Sequence, residues 1–188
     1  MMIRKAAVAI LLLAPSALAA QTPQTGQGRL EIVGEAPGAC VMRGPATATA
    51  TNASYTSTGP SGGQLRITEM VRSPQSLSRG VTADLALTVV CNSPHQLVVR
   101  SENGGMLRNG GRAGSAPGPF AEFLPYQFRA TWLGRDVSAA SNGPGPLVMQ
   151  SNQGGAGQLS LAVVVPEGIR LDGGDYRDSV IVEFRAAD

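Results

Sequence analysis

Few side chains in this sequence could do chemistry, and their spacing decides what each could do. There are two cysteines, Cys40 and Cys91, and one histidine, His95. A metal site built on the cysteines would have only His95 to add in imidazole. Nucleophilic catalysis by a Ser-His-Asp set would need His95 beside a presented serine, and the chain has no G-x-S-x-G elbow. His95 follows Cys91-Asn-Ser-Pro and reads as an exposed turn histidine. The Gly pairs at 104–105, 110–111 and 154–155 do not run into a Gly-Lys-Ser/Thr step, so they are not phosphate cradles. Asp172-Gly-Gly-Asp175, with Asp178 beyond, lacks the ligand spacing of a calcium loop and reads as a turn. Asn52-Ala53-Ser54 fits a glycosylation sequon. The expectation is a protein without catalytic residues, metal or cofactor.

The chemistry that remains is cysteine oxidation, which depends on compartment. Residues 1–19 have the order of a signal peptide: Arg4 and Lys5, an apolar run from Ala6 to Ala14, then Ala17-Leu18-Ala19 before a cleavage point. The apolar run is too short to span a bilayer, and no later stretch is long enough. Cleavage after Ala19 predicts an exported, soluble chain, in which Cys40 and Cys91 read as one disulfide. The alternatives at this stage are a metal pair or a free nucleophile. Loss of Arg4 and Lys5 reduces the 15 basic residues to 13, against 13 acidic ones. A neutral chain has no general electrostatic reason to bind nucleic acid or an anionic membrane. Lys5 is the only lysine, which removes Schiff-base chemistry from the mature chain.

The elements that position these residues read as strands. Gly 24 and Pro 13 punctuate the 188 residues too often for long helices. Between the breaks, apolar residues recur with period two. Val81, Ala83, Leu85, Leu87, Val89 and Cys91 share one face, with Thr82, Asp84 and Thr88 on the other. This phase turns Cys91 inward, where it could tie two layers of a sandwich together. Similar alternation covers 126–132, 158–165 and 180–185, and weaker runs cover 29–33, 46–51, 64–71 and 96–100. Gly-rich segments at 101–119, 138–146 and 150–157 read as surface loops. Eight or so short strands in one domain predict an all-β sandwich. The aromatic content is 4%, and most rings fall at core-facing positions, which gives no sign of a sugar-reading aromatic surface.

Several segments taken together resemble a known family. A β-prone stretch leads to the first cysteine (Leu30 to Cys40), and Leu85-Ala-Leu-Thr-Val-Val-Cys91 is followed by Leu97-Val-Val-Arg. Leu124-Pro-Tyr-Gln-Phe follows a Gly-rich loop, and the chain closes on Gly174-Asp-Tyr-Arg-Asp-Ser-Val-Ile-Val-Glu-Phe184. This arrangement, over residues 28–186, resembles the spore coat protein U family, which includes pilins of archaic chaperone–usher pili. Its most specific piece is the Gly174-x-Tyr176-x-Asp178 motif before an alternating strand. The family's Phe-Gly pair after the first cysteine is replaced here by Val41-Met-Arg-Gly-Pro-Ala.

The resemblance implies an incomplete immunoglobulin-like β-sandwich of about seven to eight strands, completed by an intermolecular donor strand. It divides the chain into a signal peptide (1–19), an N-terminal extension with the donor (20–39) and the sandwich (40–188). It implies a periplasmic chaperone, an outer-membrane usher and neighbouring like subunits as partners, at a cell surface or pilus. A donor strand should alternate small and apolar residues ahead of the first cysteine. Leu30, Ile32, Gly34 and Ala36 do so, with Arg29, Glu31 and Glu35 on the other phase and Val33 the exception. The same residues could instead be the domain's own first strand. The other functional expectation is a secreted single-domain adhesin or ligand-binding module of the same fold that does not polymerise.

Overall fold

In a computed structural model of the chain, residues 31–72, 74–114 and 118–186 are described. The expected signal peptide lies outside the described residues. The chain divides into two compact units, 1–35 and 36–188. In the first, residues 31–35 are exposed and lack regular secondary structure.

The second unit is all-β. In chain order its strands are β1 (Cys40–Thr51), β2 (Ala53–Gly59), β3 (Gly62–Ile67), β4 (Val71–Arg72), β5 (Leu77–Ser78), β6 (Val81–Cys91), β7 (His95–Ser101) and β8 (Met106–Arg108). There follow β9 (Phe123–Leu124), β10 (Gln127–Trp132), β11 (Arg135–Ala140), β12 (Leu147–Ser151), β13 (Gly155–Val165), β14 (Tyr176–Arg177) and β15 (Val180–Ala186). Eight of them build two principal antiparallel sheets, in the orders β1-β6-β13-β10-β11 and β12-β7-β15. Three smaller sheets, β14-β8-β9, β2-β3 and β4-β5, complete the set.

The long strands follow directly from alternation. On β6 the residues Val81, Ala83, Leu87, Val89 and Cys91 are buried, while Thr82, Asp84 and Thr88 face solvent. β13 repeats the pattern with Leu159, Leu161, Val163 and Val165 buried. Trp132, Phe128, Leu97, Leu124, Leu159, Leu161, Val89 and Val99 are almost completely inaccessible, and all but Leu124, on β9, come from the two principal sheets. Each large side chain of this kind contributes roughly 1.5–3 kcal/mol by leaving water. An arrangement of two sheets sharing one core is consistent with a β-sandwich.

Turn chemistry explains one boundary. β10 and β11 are joined by Leu133-Gly134, with φ of 48° and 73°, closing the Trp132↔Arg135 pair. Two consecutive positive φ values are those of a type I′ hairpin turn, whose twist matches its strands.

Several expected boundaries are corrected. The weak run at 46–51 is the end of a strand that begins at Cys40. The 101–119 loop contains β8, and 138–140 belongs to β11 rather than to a loop. Gly155 to Gly157 are the start of β13, paired to Val89–Cys91. Glycine weakens a strand without preventing it when a neighbour supplies the ladder. In the expected strand at 29–33, residues 29–30 are not described and 31–33 form no strand.

Candidate functional site

The two cysteines form the expected bridge, but in a different place. Cys40 and Cys91 are register partners on adjacent strands β1 and β6, with Cα atoms 4.1 Å apart and the sulfurs joined. The disulfide therefore links two strands of one sheet, not two layers. The inward phase of Cys91 was legible; that Cys40 would pair beside it was not. Closing a loop with this sequence separation of 51 stabilises the fold by about 4 kcal/mol on the chain-entropy model.

His95 is buried, against the expectation of an exposed turn residue. Its ring lies with both cysteine sulfurs inside a 4.8 Å group. The sulfurs are bonded to each other, and both ring nitrogens are engaged. The Trp132 indole Nε1–H donates to His95 Nε2 at 2.8 Å. An indole can only donate, so Nε2 is the bare nitrogen. Nδ1 then carries the proton and donates it to the Ser93 carbonyl at 3.0 Å. No lone pair is left for a metal or a substrate proton. The Phe184 ring packs on both partners, 5.9 Å from His95 and 5.5 Å from Trp132. A sequence signal existed for this burial: His95 shares its phase with Leu97 and Val99.

Asp178, Tyr176 and Gly174 each make contacts of their own, away from His95. The Asp178 carboxylate accepts hydrogen bonds from the Tyr126 hydroxyl at 2.6 Å, the Ser101 hydroxyl, and the Asn103 and Ser179 amides at 3.1 and 2.8 Å. Burial raises the Tyr126 pKa well above the ordinary phenol value, and the bond to Asp178 adds to the shift. Tyr176 donates to the carbonyls of Ala121 and Asp172, at 2.6 and 3.0 Å, and burial raises its pKa too. Gly174 has φ 143°, and a Cβ there would come within 3.1 Å of the Arg108 side chain. Arg108 pairs with Glu122, which holds the Glu122 carboxyl below its usual range. Arg108 Nε lies 3.5 Å from Asp172 Oδ2 without a hydrogen bond. These contacts fix the start of β15 and the loops that flank it.

β15 is the end strand of its sheet, and within the described residues it pairs only with β7. Val182 and Phe184 point to the core opposite Val99 and Leu97, yet they are only half-buried while their partners are fully covered. The other sheet edges are obstructed. β1 carries register shifts around Pro45, and the Gly44 amide donates to the Pro60 carbonyl of the β2–β3 hairpin at 2.6 Å. The β11 and β12 edges are joined by Arg135, which donates to the Gln150 carbonyl at 2.5 Å. Bulges and covering loops are how sheets block strand addition. β15 pairs with β7 over seven residues without a register shift.

No family model, curated protein or solved structure matches the chain. The resemblance to the spore coat protein U family therefore rests on the motifs quoted above.

Of the expected donor residues, Leu30 lies outside the described residues. Ile32 is 88% exposed, Gly34 has open space where a Cβ would stand, and Ala36 is exposed. The sequon asparagine has a structural task. Asn52 sits at φ 59°, its Nδ2–H donates to the Glu69 carbonyl at 2.8 Å, and its Oδ1 accepts from the Glu69 amide at 3.1 Å. Among the described residues no helix is long and apolar enough to cross a membrane.

Proposed function

We propose that this chain is an exported structural subunit of a bacterial surface fibre or coat, of the spore coat protein U type, assembled by donor-strand exchange. The sandwich is immunoglobulin-like and lacks one strand. Its acceptor edge is β15, and residues 30–36 of a neighbouring copy are the donor. The observation that carries this reading is the unpaired edge of β15 with Val182 and Phe184 half-covered beneath it. An added strand would satisfy that backbone edge and bury the two side chains at once. A periplasmic chaperone would hold the same edge until an outer-membrane usher brings the next subunit. Residues 30–36 have the alternation for this task, and Ile32 is 88% exposed in the single chain.

Natively isolated protein on a denaturing gel, unheated and heated, tests the proposal beside a Leu30→Asp/Ile32→Asp variant. The expected outcome is a ladder of subunit multiples that collapses on heating and is missing from the variant. A monomer band in every lane would refute it. One feature favours the ligand-binding alternative: an open cleft of about 590 Å³ between the Gly-rich loops, floored by Val99, Phe128 and Leu147. Binding of a surface glycan by a chain that stays monomeric would support that reading instead.

A further inference from the structure

The residues just before the disulfide are held by Asn92, through its backbone and its side chain. The Asn92 amide donates to the Ala39 carbonyl at 3.0 Å, continuing the β1–β6 ladder one step past the Cys40↔Cys91 pair. The Ala39 amide donates to Asn92 Oδ1 at 2.7 Å, and Asn92 Nδ2–H donates to the Pro37 carbonyl at 3.0 Å. Residues 36–39 read Ala-Pro-Gly-Ala. Pro followed by Gly is the central pair of a type II turn, which closes with an N–H from the fourth residue to the carbonyl of the first. Here the fourth residue is Ala39, so Asn92 Oδ1 occupies the N–H that such a turn would need.

The position of the clamp gives it a consequence. β15 ends at Ala186, which pairs with His95, and the His95 ring lies beside the cystine. The root of the N-terminal segment and the end of the open edge are thus at the same end of the sandwich. Segment 30–36 abuts residue 37 with no slack. To lie along β15 of its own chain, it would have to reverse within residues 37–39, the stretch that Asn92 holds.

We propose that Asn92 is a positioning residue for assembly: its clamp on Pro37 and Ala39 blocks the turn that would let segment 30–36 complete its own β15, and so commits that segment to a second copy. This rests on the reading of residues 30–36 as donor. The test compares full-length wild type, Asn92→Ala, Asn92→Asp and Asn92→Ala/Gly38→Ala by unheated denaturing gel and thermal melting. Asn92→Ala removes both side-chain hydrogen bonds of the clamp and is expected to raise the ratio of heat-resistant monomer to ladder about tenfold, the equivalent of about 1.4 kcal/mol. Asn92→Asp keeps an acceptor for the Ala39 amide and should retain the ladder. Gly38→Ala disfavours the positive φ of the turn and should restore the ladder to Asn92→Ala.

A wild-type ladder from Asn92→Ala overturns the proposal. So does a loss that Gly38→Ala does not rescue, because that loss would be unfolding rather than fold-back. Equal losses from Asn92→Asp and Asn92→Ala also overturn it. If wild type itself is monomeric and indifferent to Ile32→Asp, the donor reading fails, and the clamp's role falls with it.

Discussion

At the scale of single residues, polar side chains here act as fasteners. Asp178 takes four hydrogen bonds from three segments, and Tyr126 supplies the one that ties the start of β10 to the start of β15. Tyr126→Phe removes one charge-assisted bond and leaves Asp178 three donors. It should lower stability by about 1.5 kcal/mol, seen as a reduced denaturant midpoint with unchanged slope. Asp178→Ala strips the acceptor from two hydroxyls and two amides, and should cost about 3 kcal/mol. Equal effects from the two variants would show that the carboxylate does not act as a hub. The sequence made Tyr126 and Asp178 visible as motif members but did not show that they meet. Their separation of 52 residues is bridged only by the sheet order. His95 is the opposite case, since its phase with Leu97 and Val99 did indicate burial. A preceding Ser-Pro pair obscured that signal by suggesting an exposed turn.

At the scale of elements, legibility followed burial. β6, β10 and β13 alternate cleanly because one face meets the core. Only the end of β1, residues 46–51, reads as a strand, and weakly, because Pro45 and two register shifts break its period and its residues are exposed or half-buried. The cystine fastens the first of the ten register pairs that hold this edge strand to β6. A Cys40→Ser/Cys91→Ser variant should therefore lose about 4 kcal/mol of stability by denaturant unfolding. Its hydrogen-exchange protection should fall first along β1 and the β2–β3 hairpin, while β13 and β10 keep theirs. Uniform loss of protection across all strands would show that the bridge constrains only the unfolded chain and does not pin the edge.

At the scale of the whole molecule, alternation led to an all-β fold but could not supply the strand order. Neither could it distinguish an edge that is covered from one that is left open. Openness depends on what lies beside a strand, which period two does not encode. The open edge of β15 leads to a prediction that separates strand exchange from a closed sandwich. A chain lacking residues 20–36 keeps β15 and its half-buried Val182 and Phe184, but lacks the proposed donor segment. A synthetic peptide spanning residues 28–38 should bind it and raise its melting temperature with peptide concentration. By mass action, peptide at 100 times its dissociation constant would add about 2.7 kcal/mol. The same peptide carrying Ile32→Asp should add nothing at equal concentration, because a carboxylate would be driven under Phe184 without a partner. A melting temperature that stays flat across the titration would mean that β15 is not an acceptor for this segment.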